Sequence, residues 1–79
     1  MTPTVLRTSP YRVYFYSHEP NEPPHVRVDR EDQSAKFWLG PVALARNLGF
    51  SAKELRKIEQ LLTEHEQDLL EAWYGYFGY

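Results

Sequence analysis

The last third of the sequence carries one helical pattern, and this pattern restricts the fold more than any other feature. Its apolar-face residues recur at alternating spacings of three and four, which places them on one side of a helix. They are Leu55, Ile58, Leu62, His65, Leu69, Ala72 and Tyr76. Ser51 and Glu54 have the spacing of a capping box, in which two side chains bind free backbone N–H groups at a helix start. We therefore predict one long helix from about residue 52 to about residue 75, packed on another element.

The residues before the helix predict strands. Segments 11–16, 25–30 and 35–39 are rich in β-branched and aromatic residues or alternate between apolar and polar side chains. A short strand is predicted before them from about residue 5, and polar turns separate the segments. Strands joined by such short turns are expected to form an antiparallel sheet.

The segment after residue 39 has two interpretations. Pro41 could begin a short helix, or residues 42–46 could form a fifth strand, and we favour the strand slightly. The sequence thus predicts an α+β fold in a single domain, residues 1–79. In it, an antiparallel sheet of four or five strands, at about residues 4–46, packs against one long C-terminal helix.

The composition indicates a folded, soluble domain. A chain of 79 residues has room for one small core, and 42% hydrophobic content is too high for a disordered chain. The absence of cysteine excludes disulfides and thiolate metal sites, and His18, His25 and His65 lack metal-ligand spacing. No segment approaches the roughly 18 apolar residues of a membrane span. We expect a cytoplasmic protein with no metal, no cofactor and no membrane partner.

The charges are distributed unevenly along the chain. The net charge is −2, which argues against a generic polyanion binder. Residues 1–57 contain all nine Lys and Arg residues and six acids, whereas residues 58–79 contain five acids and no base. In one long helix these acids would oppose the helix dipole, at a cost of up to about 1 kcal/mol each. We expect them either to pair with arginines outside the helix or a basic partner, or to form a solvated acidic face.

Alternation along the strands sorts their side chains onto two faces of the sheet. The face expected to pack on the helix has Tyr11, Val13, Phe15, Val26, Val28, Ala35, Phe37 and Leu39. The other face collects cations and aromatic rings, and its candidate binding residues are Arg12, Tyr14, Tyr16, His25, Arg27, Lys36 and Trp38. Such a face suits a partner protein or single-stranded nucleic acid, and a plain exposed sheet is the third interpretation.

His25 is the candidate catalytic residue, and its role has two interpretations. Pro20, Pro23 and Pro24 stiffen the segment before it, because each fixes its own φ and restricts the preceding residue. A stiff segment can hold a catalytic histidine in place, with Arg27 nearby to bind a phosphate. It can equally begin a strand, since prolines are tolerated at strand ends.

The end of the predicted helix carries more apolar residues than one face can hold. Leu70, Trp73, Tyr76 and Phe77 spread around the helix, so some of them cannot face the sheet. Such an excess is typical of a surface that binds another chain. We therefore predict a partner interface at these residues.

A series of short motifs runs through nearly the whole chain. They are Thr4-Val-Leu-Arg7, Phe15-Tyr-Ser17, Asn21-Glu-Pro-Pro-His-Val26, Ala35-Lys-Phe-Trp-Leu39, Gly49-Phe-Ser51 and Leu70-Glu-Ala-Trp73. In this order they resemble a prokaryotic domain-of-unknown-function family, number 4160. Members of that family typically continue Pro-Pro-His-Val-His-Val, and here Arg27 replaces the second histidine. The resemblance therefore carries over no histidine pair for metal binding or acid-base catalysis.

The resemblance also implies a setting for function. Genes of this family often lie beside another small domain of unknown function, and the pairs are suspected toxin-antitoxin-like modules. We accordingly expect a small protein-interaction domain that needs no enzymatic activity and binds a small protein encoded nearby or another copy of itself. The alternative is a small RNA-directed nuclease or RNA-binding toxin that uses His25 with Arg27, Arg12 and Tyr16.

Overall fold

The computed structural model describes residues 4–8, 10–16 and 21–78, which form five strands followed by two helices. The strands are β1 (Thr4–Thr8), β2 (Tyr11–Tyr14), β3 (His25–Arg30), β4 (Gln33–Trp38) and β5 (Ala43–Leu48). The helices are α1 (Ala52–Glu64) and α2 (Glu66–Phe77). Each strand pairs antiparallel with the next, so the sheet order follows the chain order. The α+β class is confirmed, and the fifth strand is present.

One face of the sheet packs against both helices, as the alternation predicts. Val13, Val28 and Ala35 are paired across β2, β3 and β4, and all three side chains are buried. Every residue predicted for this face is buried except Tyr11, which is partly buried. Burying one aliphatic or aromatic side chain contributes about 1.5–3 kcal/mol. The core cluster consists of Val13, Val26, Val28, Ala35, Phe37, Leu39, Phe50, Ile58, Leu62 and Leu69.

The prediction of one long helix is wrong, because the helix is interrupted at His65. The His65 backbone has φ −111° and ψ 12°, outside the helical range. Its N–H is shared between the carbonyls of Leu61 and Leu62, at 3.3 and 3.2 Å. Just before the break, Thr63 Oγ1 donates to the Glu59 carbonyl at 2.8 Å, a contact that bends helices. The sequence has neither proline nor glycine here, so the helical pattern continues through the break.

The break changes where the acids lie relative to the helix dipole. Glu66 and Asp68 fall in the first turn of α2, where the dipole favours negative charge. Glu66 Oε2 also accepts a hydrogen bond from the Gly40 backbone N–H at 2.9 Å. Our expectation that these two acids oppose the dipole is therefore wrong. The Gly40 contact ties the start of α2 to the turn after β4.

The turn between β5 and α1 is closed by side-chain hydrogen bonds. Asn47 donates to the Phe50 carbonyl at 2.9 Å and accepts from the Phe50 N–H at 3.0 Å. Gly49, inside this turn, has φ 104°, a conformation that favours glycine. Ser51 Oγ then accepts from the Glu54 N–H at 3.2 Å, which confirms the serine half of the predicted capping box. These contacts fix where α1 leaves the sheet.

The Glu54 carboxylate links α1 to two strands. It accepts hydrogen bonds from the Tyr11 hydroxyl on β2 and from Arg30 Nη1 on β3, the latter at 2.9 Å. These bonds, chiefly the one from Tyr11, lower the pKa of the Glu54 carboxyl. Burial and the same hydrogen bond raise the pKa of the Tyr11 hydroxyl. The start of α1 is therefore held to the sheet by charge as well as by apolar packing.

We expect the Glu54→Gln variant to be less stable than the wild type near neutral pH. Because the folded-state pKa of Glu54 is lowered, its carboxylate stabilises the fold above the ordinary glutamate pKa of about 4.3. That contribution should disappear as the pH falls through the folded-state pKa, so the two proteins should converge in acid. Urea unfolding at a series of pH values measures this difference. Glu59→Gln, at an exposed position of α1, is the control, and a constant gap between wild type and Glu54→Gln would contradict the contact.

Candidate functional site

A row of cations crosses the sheet on the face opposite the core, which we call the outer face. Arg27 on β3 pairs with Lys36 on β4, and Lys36 pairs with Arg46 on β5. Directly paired positions have Cβ atoms about 4.5–5.5 Å apart, and like charges so placed repel one another. We call Arg27, Lys36 and Arg46 the cation row. The row therefore concentrates positive charge on the outer face.

The positions next to the cation row on the outer face include both uncharged and charged residues. Tyr14 on β2 pairs with Arg27, so an uncharged residue stands at the end of the cation row opposite to Arg46. Beside it, Arg12 pairs with Asp29 on one side and with the Arg7 position on the other. Most of the charged positions on this face are therefore basic, although the whole chain has a net charge of −2.

Three cations of the outer face are held against aromatic rings. A cation over a ring face is attracted by the ring quadrupole, and the contact restrains a long side chain. The pairs are Arg12 over Tyr14 at 4.6 Å, Arg27 over Tyr16 at 4.5 Å and Lys36 over Trp38 at 4.6 Å. Six of the seven predicted binding residues thus form cation–ring pairs. Their cations cover ring faces that nucleic acid bases would need for stacking.

Two acids lie among these cations. Lys36 Nζ forms an ion pair with Glu22 Oε1 at 2.6 Å. The second acid is Asp29, and burial and a hydrogen bond to Asp29 raise the pKa of Tyr14, whose side chain is buried.

Arg46 is exposed at the edge of the sheet. The outermost part of the cation row is therefore its most accessible part.

His25 does not lie on the open surface predicted for it. Strand alternation places it on the outer face, opposite Trp38, yet its side chain is 0% exposed. Its ring centroid lies 5.8 Å from that of Trp38 and 4.9 Å from that of Trp73. Trp73 belongs to α2, which therefore covers the beginning of β3. The exposed position predicted for His25 is wrong, because the helix contributes a wall that alternation alone does not reveal.

The proline segment before His25 is hydrogen-bonded to the residues at the start of β3 and the end of β4. His25 Nδ1 donates to the Pro23 carbonyl at 3.0 Å. The Pro24 carbonyl accepts from the Leu39 backbone N–H at 2.9 Å, just past the end of β4. Prolines lack a donor but keep their acceptor, and both carbonyls are used here. The geometry supports the strand-start interpretation of this motif.

The predicted interface at the helix end is divided between the core and the surface. Trp73 is 1% exposed and packs on Phe15 at 5.1 Å and on Phe77 at 4.4 Å between ring centroids. Leu70 and Phe77 are partly buried, whereas Tyr76 is 49% exposed. Trp73 thus belongs to the core of the chain itself. Tyr74, which the sequence did not single out, is 46% exposed.

The sequence reasoning also missed the surface residues of β5. Leu44 and Leu48 are 44% and 52% exposed, and Arg46 completes the cation row. The face of the sheet on which each of these side chains lies depends on the register between β4 and β5. In this register Ala45 has no partner. This bulge shifts the alternation by one residue. The sequence did contain a signal, because Arg46 is a single charged residue in an apolar segment. The face of the sheet on which Arg46 lies, however, depends on how β5 pairs with β4.

No group of three or more His, Asp or Glu side chains lies in a metal-binding arrangement among residues 4–8, 10–16 and 21–78. Neither helix in that part of the chain is long and apolar enough to cross a bilayer.

The fold and this surface define a small α+β domain with one cationic sheet face. The model of a family described as a domain of unknown function, DUF4160, matches residues 11–74. Because the match covers most of the chain, the chain belongs to this family, and the resemblance found in the sequence is confirmed. No curated protein and no solved structure matches the chain.

We expect the His25→Ala variant to lose about 2–4 kcal/mol of stability, because it leaves a cavity between two tryptophan rings and removes a buried hydrogen bond. The His65→Ala variant should lose less than about 1 kcal/mol, since His65 is only partly buried. Urea unfolding followed by tryptophan fluorescence measures both variants. Equal stability of His25→Ala and the wild type would contradict the burial of His25.

Proposed function

We propose that the chain is a prokaryotic protein-interaction domain, one half of a two-gene toxin-antitoxin-like module, and that its outer face binds an acidic surface of the companion protein. The observation that carries this proposal is the cation row, Arg27, Lys36 and Arg46 in direct cross-strand register. Like charges at paired positions destabilise a sheet unless an anionic group lies nearby. Glu22 accompanies Lys36 within the chain, and Arg46 extends the row to the exposed edge. An acidic partner would turn this repulsion into attraction.

The stacking contacts support a preorganised surface. Cations held over rings lose less side-chain freedom on binding than free lysines or arginines, and this reduces the entropic cost of association. The exposed rings of Tyr74 and Tyr76 on α2 offer a second contact region, as tyrosine is enriched in interfaces. The companion therefore needs acidic residues for the outer face and apolar residues for the tyrosines.

The geometry gives less support to an RNA-directed nuclease. A general acid or base must come within hydrogen-bond reach of the substrate, and the fully buried His25 cannot do so in this conformation. Tyr14 is buried, and the rings of Tyr16 and Trp38 carry cations on one face. Protein binding requires neither open ring faces nor an exposed histidine.

We expect the companion encoded by the adjacent gene to copurify with the tagged chain as a complex. Arg46→Glu should weaken the complex by about tenfold, because it reverses the exposed end of the cation row. Arg56→Glu makes the same change in net charge at an exposed position of α1 and should have little effect. Raising the salt concentration should also weaken binding, since the contact depends on exposed charges.

Size-exclusion chromatography and isothermal titration calorimetry of the two proteins measure these effects. Failure of the companion to copurify would contradict the proposal. Equal weakening by Arg46→Glu and Arg56→Glu would show that the outer face has no specific part in binding. Copurification of nucleic acid, with loss of the complex after nuclease treatment, would favour the RNA-binding alternative.

A further inference from the structure

β5 forms an exposed edge of the sheet. In the part of the chain that the structure describes, β5 pairs with β4 alone, and all six of its residues are exposed. An edge strand directs half of its backbone N–H and C=O groups away from the sheet, where another strand can bind them. This edge therefore offers hydrogen-bonding groups in addition to side chains.

Apolar side chains flank these backbone groups on both faces. Leu44 lies opposite Phe37 and so on the core side of the sheet, whereas Leu48 lies opposite Ser34 on the outer face. Their side chains are 44% and 52% exposed. A strand added beside β5 would cover both leucines, one from each face. Burial of apolar area would then accompany the backbone hydrogen bonds.

Two features of β5 restrict which strand can pair with it. The bulge at Ala45 interrupts the regular spacing of the edge, which disfavours pairing with long flat strands. Arg46 is the last residue of the cation row. On an added strand, the residue paired with Arg46 would continue this row by one position. A cation at that position would be repelled and a carboxylate attracted. The edge is thus selective for charge.

A second copy of the chain does not supply the required carboxylate. Among the strands that the structure describes, β1 and β5 lie at the edges of the sheet, with sequences TVLRT and ALARNL. Each of these strands contains one arginine and no acid, so pairing of edges between copies places no carboxylate against Arg46. Charge complementarity therefore points to a different chain.

We infer that β5 is the docking edge for an acidic, extended segment of a partner protein, which adds a sixth strand and places a carboxylate opposite Arg46. The inference rests on the proposed function and deepens it by stating how the partner binds. Backbone hydrogen bonds supply affinity in this mode, and alternate side chains supply specificity.

Synthetic peptides test the inference on the isotope-labelled full chain. An eight-residue peptide of alternating glutamate and valine should slow hydrogen exchange at alternate backbone amides of residues 43–48 by about tenfold at saturation. A matched peptide of alternating lysine and valine should bind at least about threefold more weakly, because it places a cation against Arg46. A third peptide, the alternating glutamate and valine sequence with a methyl group on every backbone nitrogen, keeps the acids but has no N–H group to donate to a strand. It should slow none of these amides.

A charge exchange completes the test. In the Arg46→Glu variant the preference should reverse, so that the lysine peptide binds more tightly than the glutamate peptide. Unslowed exchange at residues 43–48 with every peptide would overturn the inference, whether or not the companion copurifies. Equal effects of the unmethylated and N-methylated glutamate peptides on outer-face residues would also overturn it, while leaving the proposed outer-face function intact. Protection of β5 that grows with the concentration of the chain alone would instead identify a second copy as the occupant.

Discussion

The structure depends on the period of two along each strand. Once Val26 and Val28 are buried beneath the helices, Arg27 between them must point to the other side of the sheet. Antiparallel pairing then aligns the outward residues of neighbouring strands, so Lys36 and Arg46 join Arg27 in one row. The apolar core and the cationic surface are therefore two results of one register. A shift of one residue would bury the cations and expose the valines.

The packing of α2 determines how much of the aromatic surface at the end of the sequence remains open. The break at His65 separates α2 from α1. Trp73 of α2 packs against Phe15 and His25, and its side chain is almost completely buried. Part of the aromatic excess at the end of the sequence thus completes the chain's own core. The large apolar side chains of α2 that stay exposed are those of Tyr74 and Tyr76.

The features that the sequence predicted correctly depend on local periodicity. The strands, the buried face and the Ser51 cap all follow from spacings within one element. The break at His65 could not be predicted in this way, because it involves a side-chain bond from Thr63 and an anchor at Gly40 rather than a helix-breaking residue. The burial of His25 could not be predicted either, since the covering Trp73 comes from the other end of the chain. The place of Arg46 on the outer face could not be predicted because it depends on the bulged register of β5, which alternation along one strand does not reveal.

The central claim is that the outer face presents a concentrated positive potential on a chain of net negative charge. Paramagnetic relaxation of the labelled protein by small anionic and cationic nitroxide cosolutes measures this potential near each backbone proton. The account predicts that protons of Arg27, Lys36 and Arg46 relax more strongly with the anionic cosolute than with the cationic one, and that exposed protons around Glu64 and Asp68 show the reverse. Equal relaxation by the two cosolutes along the cation row would contradict the account.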